Sequence, residues 1–443
     1  MPDIIQPRVL KGFRDYLPQD ETARRALMEV LERVFRSYGF VPIDTPALEY
    51  AEVLLGKGGG ETDKQVYRFK DKGDRDVALR FDLTVPFARF MAEHADELYL
   101  PFRRYHMAKV WRGENTQRGR YREFMQCDFD IVGTDSASAD TDIILLIADA
   151  IAALEVGSFT LRVNHRGVFN RFLESAGLRD KSTALLRLVD KAEKVGAEEL
   201  RGLLAAEAGD EVTERILAFI GKEGSFEATL EKIEGLAGGK AADTERLRDI
   251  WRNAREAGFP GTLVLDPSIT RGLDYYTGVV FETNLDAMPE IGSVCSGGRY
   301  DELASLYTTK RLPGVGSSIG LDRLLAALDA LGTVKRRSGY TQVLVLDIEE
   351  SLSPSYHKIA RALRAAGIAA EVFPEKRKLA QQFAYAERKG IGLAVIVGTD
   401  EAQKGEAQLR DLSSRESAAL PFKDGDASAI VARAAELLAG RRA

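Results

Sequence analysis

The chain has little of what several classes of protein require. Its 443 residues include 2 cysteines, 4 histidines and 2 tryptophans. Cys127 and Cys295 are too few for a disulfide framework, so we expect a reducing, cytoplasmic compartment. The histidines form no ligand spacing with the cysteines, and the sequence therefore predicts no protein-built zinc or other metal centre.

The chain also lacks long apolar runs. The longest, Ile143 to Leu154, is interrupted by Asp149 and is too short to span a bilayer. The first residues do not have the order of charged, apolar and small residues that marks a signal peptide. With 45% hydrophobic and 29% charged residues, the composition is that of an ordinary globular protein without a membrane partner. Its length predicts two or three domains.

Charge is distributed unevenly along the chain. The net charge is -6, but residues 335–443 carry 18 Lys and Arg against 14 Asp and Glu. A modestly basic C-terminal region on an acidic body is compatible with local binding of a polyanion, and equally with ordinary solvated surface. The run Lys376-Arg377-Lys378 has the same two interpretations.

The first half of the chain alternates between helical and strand patterns. Apolar residues recur at helical spacing from Ala23 to Tyr38, where Gly39 ends the predicted helix. Predicted strands follow at Leu79–Val85, Phe102–Trp111 and Tyr121–Val132. The last strand places four residues on one face (Phe124, Gln126, Asp128, Asp130) and apolar residues on the other. We expect the first face to be functional and the second to be core.

Two changes of pattern divide the rest of the chain. Residues 170–258 show helical periodicity and little strand signal, which predicts a helical insertion. Strands at Leu263–Leu265 and Tyr275–Thr283 and a helix at Gly320–Leu331 resume the earlier pattern. After a linker near residues 333–339, strands and helices alternate, which predicts a parallel α/β sheet. The predicted elements are strands Val343–Ile348, Ala370–Phe373 and Leu393–Val397 and helices Pro354–Ala366, Leu379–Lys389 and Ala427–Leu438.

Two segments concentrate side chains that bind charged molecules. Seven arginines and lysines precede Glu123 within the predicted hairpin Arg103–Gly133. Cations on half-buried strands need anionic partners, and phosphate suits the planar fork of arginine. The second segment combines paired tyrosines on a predicted strand (Arg271–Glu282) with a predicted Gly-Gly turn (Cys295–Leu303). It suits a pocket for a small charged molecule, although a hydrogen-bonded strand edge also fits this pattern.

These motifs resemble those of the class II aminoacyl-tRNA synthetases. The first motif is the helix and extended segment that lead to Pro46, and the second is the hairpin Arg112-Gly113-Glu114 with Phe124. The third is Gly314–Leu325, which contains Arg323. Within the class, RGLDYYTG and SGGRYDEL resemble two segments peculiar to histidyl-tRNA synthetases. The resemblance covers essentially the whole chain.

The resemblance implies a domain organisation and a reaction. The fold would be an α+β catalytic domain with a mainly antiparallel sheet (1–332), a helical insertion (170–258) and a C-terminal α/β anticodon-binding domain (338–443). The reaction would be the ATP-dependent activation of L-histidine to histidyl-adenylate, with Mg²⁺, and transfer of histidine to tRNA(His). We expect a cytoplasmic homodimer that associates through the helix and strand of the first motif.

The resemblance also implies residue roles. Asp82 and Thr84, helped by Gln126, would hold the α-amino group of histidine, and Leu83 between them would also belong to the histidine-binding residues. Asp130 and Tyr276 would contact the imidazole nitrogens, and Tyr275 and Tyr300 would shape the pocket. Arg112 would bind the α-phosphate of ATP, and Arg271 would lie between this phosphate and the histidine carboxylate. The remaining ATP contacts would be Glu114 near adenine, Arg120 at the terminal phosphates, and Phe124 and Arg323 on the two faces of adenine.

One departure and two alternatives accompany this assignment. Many bacterial members of the family carry Glu where this chain has Asp82 and Asp130, which leaves the contact geometry open. One alternative is a regulatory paralogue that binds histidine and activates an ATP phosphoribosyltransferase without charging tRNA. That paralogue typically lacks the anticodon domain. The other is a nucleic-acid-binding module without catalysis, which would leave the polar residues Asp82, Asp130 and Tyr276 unexplained.

Overall fold

The chain forms two units. The computed structural model describes residues 4–56, 64–190, 195–269, 275–334 and 336–440. One unit comprises Met1–Asp15 with Arg24–Val334, and the other comprises Tyr16–Ala23 with Lys335–Ala443. In these described ranges, we find no helix whose length and hydropathy would let it cross a membrane.

The first unit is built on an eight-stranded sheet. The strands of this unit are β1 Val41–Pro42, β2 Leu48–Tyr50, β3 Arg68–Lys70, β4 Asp76–Leu79, β5 Phe102–Trp111, β6 Glu123–Val132, β7 Phe159–His165, β8 Thr262–Leu265, β9 Val279–Leu285, β10 Cys295–Tyr300 and β11 Gly314–Gly320. The order in the large sheet is β1-β5-β6-β11-β10-β9-β7-β8. The β1/β5 and β7/β8 pairs are parallel and the other neighbours are antiparallel, which confirms the mainly antiparallel sheet.

Helices pack against this sheet. Those of the first part of the chain are α1 Pro18–Ser37, α2 Ala51–Leu55, α3 Thr84–His94 and α4 Ala137–Ala153. Residues of α1 and α4 share a core with the apolar face of β6, whereas residues of α2 and α3 form a separate core with Val132 and Tyr300. Helix α4 contains most of the long apolar run, and the Ser136 side chain caps its start by accepting from the Ser138 N–H at 3.2 Å. Its residues join Cys127, Phe129 and Ile131 of β6 in the main core. The apolar face of β6 is therefore core, as predicted.

The helical insertion lies between β7 and β8. Its helices are α5 Arg166–Ser175, α6 Ser182–Val189, α7 Ala197–Ala208, α8 Asp210–Ile220, α9 Phe226–Leu236 and α10 Ala242–Glu256. Phe172 and Phe219 stack with ring centroids 4.7 Å apart, and both are fully buried. The predicted helical character of this region is confirmed. After the insertion the chain returns to the sheet, and α11 (Leu321–Leu331) follows β11.

The second unit has a mixed sheet. Its strands are β12 Val343–Val345, β13 Ala370–Val372, β14 Leu393–Ile396, β15 Glu406–Asp411 and β16 Ser417–Pro421, and its helices are α12 Ser353–Ala365, α13 Leu379–Lys389, α14 Thr399–Lys404 and α15 Ser428–Gly440. The order is β13-β12-β14-β15-β16. The first three strands are parallel, but β15 and β16 are antiparallel additions that we did not predict. Strand β15 buries alternate residues, Ala407 and Leu409, while β16 is a five-residue strand with no buried residue.

Three local predictions in the first unit were wrong. The predicted strand Leu79–Val85 ends at Leu79, and the chain turns into α3 at Thr84. The paired tyrosines Tyr275 and Tyr276 precede β9 instead of lying in it. The Gly297-Gly298 pair lies inside β10 rather than in a turn. Short 3₁₀ segments occur at Ala95–Glu97, Arg179–Lys181, Pro289–Ile291, Leu303–Leu306 and Glu350–Leu352.

Candidate active site

A polar turn between β4 and α3 forms one wall of a cavity in the first unit. The Asp82 Oδ1 accepts from the backbone N–H of Val85 at 3.1 Å, which satisfies a donor in the first turn of α3. Asp82 and Thr84 both line the cavity, whereas Leu83 is fully buried in the core. The start of α3 brings the side chains of Asp82 and Thr84 to the cavity wall, and the Asp82 carboxylate stabilises this turn. Asp82 and Thr84 therefore do not lie in a strand, although the predicted strand Leu79–Val85 contained both.

The β5–β6 hairpin supplies most of the predicted nucleotide contacts. The cavity wall includes seven of its residues: Arg112, Glu114, Gly119, Arg120, Tyr121, Phe124 and Gln126. The Arg112 Nε donates to the Phe81 carbonyl at 2.9 Å, and its guanidinium carbon lies 5.2 Å from the centre of the Phe124 ring. These contacts fix the direction of the guanidinium. A hairpin thus delivers cations and an aromatic ring to one surface.

Gln126 of β6 has a side-chain oxygen that can accept a hydrogen bond from a ligand. Its Nε2 donates to the Ser318 Oγ of β11 at 2.9 Å. Its Oε1 is buried and has no hydrogen-bond partner among the described residues. A buried acceptor without a partner carries an energetic cost that a bound donor removes. An ammonium group beside Asp82 is a donor of this kind.

The start of α11 closes the opposite wall. Arg323 lines the cavity, and its Nη1 donates to the Ser293 carbonyl at 2.5 Å. The neighbouring Asp322 accepts from the Met125 N–H at 2.6 Å and from the Arg14 Nη2 at 2.7 Å. Asp322 thereby ties α11 to β6 and to the N-terminal segment. We did not predict Asp322 or Arg14, because neither contact lies within one sequence motif.

Three tyrosines and an aspartate form the inner end of the cavity region. Tyr275 and Tyr276 line the cavity, and the Tyr275 hydroxyl donates to the Asp82 Oδ2 at 3.3 Å. The Tyr300 hydroxyl donates to the Asp130 Oδ1 at 2.5 Å. Asp130 and Tyr300 are almost fully buried behind the lining residues. The structure therefore brings these four predicted residues together, but places two of them in a second layer.

Burial dominates the electrostatics of the inner end. It raises the pKa of Asp82, and the Val85 N–H and the nearby Arg112 charge oppose that rise. Burial likewise raises the pKa of Asp130, while Arg104 and the Tyr300 hydrogen bond oppose it. The pKa of Tyr276 is raised by burial and then by Asp130 and the neighbouring acids. Tyr276 is therefore a hydroxyl donor near neutral pH.

The cavity is continuous from this inner end to the hairpin. Eight residues border both parts: Arg112, Glu114, Arg120, Gln126, Ser293, Ser296, Ser318 and Arg323. The serines were not predicted; they contribute polar side chains from β11, β10 and the preceding loop. Arg271, the second predicted catalytic arginine, lies outside the described residues. Within the described residues, no group of three or more His, Cys, Asp and Glu side chains is arranged to hold a metal ion.

Two family models match the chain. One, described as histidyl-tRNA synthetase, matches residues 12–324, and the other, described as an anticodon binding domain, matches residues 342–426. The chain belongs to the histidyl-tRNA synthetase family. The first match includes the cavity, and the second lies within the mixed-sheet unit.

Similar proteins cover nearly the whole chain. A histidine–tRNA ligase from Treponema denticola is 52% identical over 96% of this chain and 98% of its own length. Another from Rhodopirellula baltica is 48% identical over 97% and 98% of the two chains. The crystal structure of histidyl-tRNA synthetase from Nostoc sp. PCC 7120 aligns with a TM-score of 0.87 at 34% identity, covering 99% of this chain and 100% of that one. The resemblance to the family seen in the sequence is confirmed.

Proposed function

We propose that this chain is a ligase that activates L-histidine with ATP to histidyl-adenylate and then transfers histidine to tRNA(His). The observation that carries the proposal is one continuous cavity with two chemically different ends. Phe124 lines only the outer end, Asp82 and Tyr276 line only the inner end, and Arg112, Arg120 and Arg323 border both. An amino acid and a nucleotide that react with each other need such a pair of adjacent sites.

The inner end suits histidine. We assign the α-ammonium group to Asp82, Thr84 and Gln126, with Leu83 packed behind them. Neutral imidazole has one donor and one acceptor. The Asp130 carboxylate, as acceptor, and the Tyr276 hydroxyl, as donor, match that pair. We assign Tyr275 and Tyr300 to shaping the pocket, which is supported by their hydrogen bonds to Asp82 and Asp130.

The outer end suits ATP. We assign Arg112 to the α-phosphate and Arg120 to the terminal phosphates. Phe124 and Arg323 would hold the two faces of adenine, with Glu114 near its edge. Their common position on the cavity wall supports this arrangement. For Arg271 we retain the role implied by the family resemblance, between the histidine carboxylate and the α-phosphate.

The first reaction step requires charge stabilisation and no general base. A carboxylate oxygen of histidine attacks the α-phosphorus, and the bond from that phosphorus to the pyrophosphate oxygen breaks. The nucleophile is already an anion, so the barrier arises from like-charge repulsion and from charge on the phosphoryl oxygens. Arg112, held by the Phe81 carbonyl, is directed to reduce both effects. In the second step, the ribose hydroxyl oxygen of tRNA attacks the carbonyl carbon of histidyl-adenylate, the bond from that carbon to the phosphate oxygen breaks, and the departing phosphate of AMP takes the hydroxyl proton.

Mg²⁺ is proposed to enter with ATP. This ion is commonly held by one or two carboxylates together with substrate phosphates, so a closed protein cage is not needed. Glu282 is a carboxylate of the cavity wall that has no other assigned role, and it fits that donor set. Bound to the phosphates, Mg²⁺ would neutralise part of their charge.

The second unit is proposed to bind the anticodon stem of tRNA(His). We divide the chain into a catalytic domain (1–332) with an inserted helical domain (170–258), and an anticodon-binding domain (338–443). The match to an anticodon binding domain supports the last assignment. We further propose a cytoplasmic homodimer that associates through α1 and the strand that follows it.

A regulatory function is the less favoured alternative. A Bacillus halodurans protein whose description names an ATP phosphoribosyltransferase regulatory subunit/histidyl-tRNA synthetase aligns with a TM-score of 0.73 at 23% identity. At this identity the likeness concerns the fold alone. The C-terminal unit and the arginines at 112 and 323 favour the synthetase, because regulation through histidine binding needs neither.

Histidine-dependent exchange of pyrophosphate into ATP tests the proposal. The full chain should catalyse this exchange with L-histidine and should charge tRNA(His) in a second assay. Histidine binding without exchange would favour the regulatory alternative. Binding of tRNA without either activity would favour a non-catalytic nucleic-acid-binding module.

Deletion of the second unit tests the assignment of tRNA binding. A chain that ends at Val334 should lose far more tRNA charging than pyrophosphate exchange, because the cavity lies in the first unit. The two activities are compared on the same preparation, and a circular dichroism spectrum checks that the shortened chain is folded. Equal losses in a folded chain would count against a separate anticodon-binding unit.

A further inference from the structure

A fully buried arginine lies behind the proposed histidine pocket. The side chain of Arg104 has 0% relative exposure, and its Nη2 lies 2.7 Å from the Asp130 Oδ2. The guanidinium carbon lies 4.0 Å from the centre of the Phe87 ring. Neither Arg104 nor Asp130 lines the cavity; both lie behind it, and Asp130 is close to the lining residue Tyr276. Asp130 is the residue in ionic contact with Arg104.

The sheet register imposes this contact. Arg104 of β5 is the direct cross-strand partner of Asp130 on β6, and Asp130 is in turn the partner of Gly316 on β11. A Cβ on Gly316 would lie 1.9 Å from the Asp130 Oδ1, so only glycine leaves space for the carboxylate. The Asp130 carboxylate is therefore enclosed between the Arg104 guanidinium on β5 and the Gly316 backbone on β11.

Arg104 supplies positive charge to an acidic interior. The buried carboxylates Asp82, Asp128 and Asp130 all experience the Arg104 charge, which opposes the effect of burial on each. For Asp128, the net effect raises the pKa to about 7. A carboxylate enclosed like Asp130 would become neutral without a nearby cation. A neutral Asp130 would present a hydroxyl and would be a poorer acceptor for an N–H group.

The contact leaves acceptor capacity on Asp130. The Arg104–Asp130 pair is an ionic contact. The three guanidinium nitrogens of Arg104 and the Asp130 Oδ2 make no directed hydrogen bond with the described residues. The Asp130 Oδ1 accepts from Tyr300. Tyr276 is close enough for Asp130 to raise its pKa. Arg104 thus favours the ionised form of the Asp130 carboxylate, Tyr300 holds it by a hydrogen bond, and Tyr276 of the cavity wall lies close to it.

We propose that Arg104 is a positioning residue for substrate selection, which keeps Asp130 an anionic acceptor for an imidazole N–H group. The proposal rests on the assignment of the inner end to histidine. Arg104 acts on the imidazole and not on the nucleotide, since its ionic partner is Asp130, which we assign to the imidazole. Its loss should therefore affect histidine and leave ATP largely unaffected.

The test compares Arg104→Met with Arg103→Met in the full chain. Arg103 is a matched control, because it is the adjacent arginine on the same strand and pairs with Asp142 on the half-exposed opposite face. Pyrophosphate exchange gives KM values for L-histidine and for ATP. Arg104→Met should raise the histidine KM by about 10- to 100-fold, the usual effect of losing a charge-assisted contact, with an unchanged ATP KM. Arg103→Met should change neither.

Two methylated substrates separate positioning from general loosening. Each N-methylhistidine isomer lacks the N–H group at one ring nitrogen. The unaltered chain should reject the isomer methylated at the nitrogen that faces Asp130, and Arg104→Met should lose part of that discrimination. Equal weakening for histidine and both isomers would show a merely structural role and overturn the proposal.

Two further variants cover other outcomes. On an Asp130→Asn background, Arg104→Met should add no further rise in the histidine KM, and an additive rise would contradict action through Asp130. If Arg104→Met does not fold, Arg104→Lys decides: it keeps the charge without the planar fork and should raise the histidine KM by less than about tenfold. A rise of about tenfold or more in the histidine KM of a folded Arg104→Lys chain would overturn the proposal, because the positive charge beside Asp130 is retained.

Calorimetric titration with L-histidine separates this proposal from the proposed function. Binding by the unaltered chain without pyrophosphate exchange would contradict the synthetase activity, while the Arg104 comparison would remain measurable as a change in Kd. Absence of histidine binding would overturn both.

Discussion

The two ends of the cavity handle charge differently. At the outer end, Arg112 is half-buried and its guanidinium donates to a main-chain carbonyl. At the inner end, Arg104 is fully buried against the carboxylate of Asp130. An arginine that binds a phosphate needs a fixed orientation and a charge that no carboxylate neutralises. A buried carboxylate that binds a neutral ring needs a nearby cation to keep it ionised.

The difference predicts which substrate each substitution affects. Changes at the outer end should alter the chemical step or the ATP KM. Changes at the inner end should alter the histidine KM and also the free energy of unfolding, because they leave a buried charge without its ionic partner. Three variants test this division, in order of decreasing expected effect.

Arg112→Ala should have the largest effect on catalysis. Removing a preorganised donor to developing phosphoryl charge should lower the kcat of pyrophosphate exchange by about 10²- to 10³-fold. Arg118→Ala is the matched control, since Arg118 lies exposed on the same hairpin and does not line the cavity. A rate close to that of the unaltered chain would remove Arg112 from the reaction.

Asp130→Asn should affect both histidine recognition and stability. The variant leaves Arg104 buried without its carboxylate, which should lower the free energy of unfolding by about 3 to 5 kcal/mol and raise the histidine KM about 100-fold. Urea unfolding and pyrophosphate exchange measure the two effects. Asp142→Asn, at a half-exposed arginine pair, should show neither. Similar losses in both variants would contradict the role of burial.

Phe124→Leu should have the smallest effect of the three. Loss of ring stacking on adenine should raise the ATP KM about tenfold without changing the histidine KM. Met125→Leu, on the opposite face of the same strand, should leave both values unaltered. An effect on the histidine KM would show that the two ends of the cavity are coupled through β6.

The sequence predicted the local elements on which the site is built. Strand β5 has the predicted bounds, and β6 begins two residues later than expected. The alternation along β6 predicted which of its faces is core, because side chains on a strand point to opposite sides. The start of α3 was mistaken for strand, since the apolar residues from Leu79 to Val85 suit either structure. The antiparallel strands β15 and β16 were missed because both are short, and β15 buries only Ala407 and Leu409 while β16 buries none of its residues.

The sequence by itself determined the chemical groups of the site and the family of the chain, since motifs and their order are properties of the chain alone. Only the tertiary structure determined which groups meet. Asp322 reaches Arg14 across 308 positions of sequence, and Arg104 faces Asp130 through a strand pairing. The physical reason is that register and close backbone approach, as at Gly316, arise from the packed sheet. Those same contacts decide whether a buried carboxylate is charged.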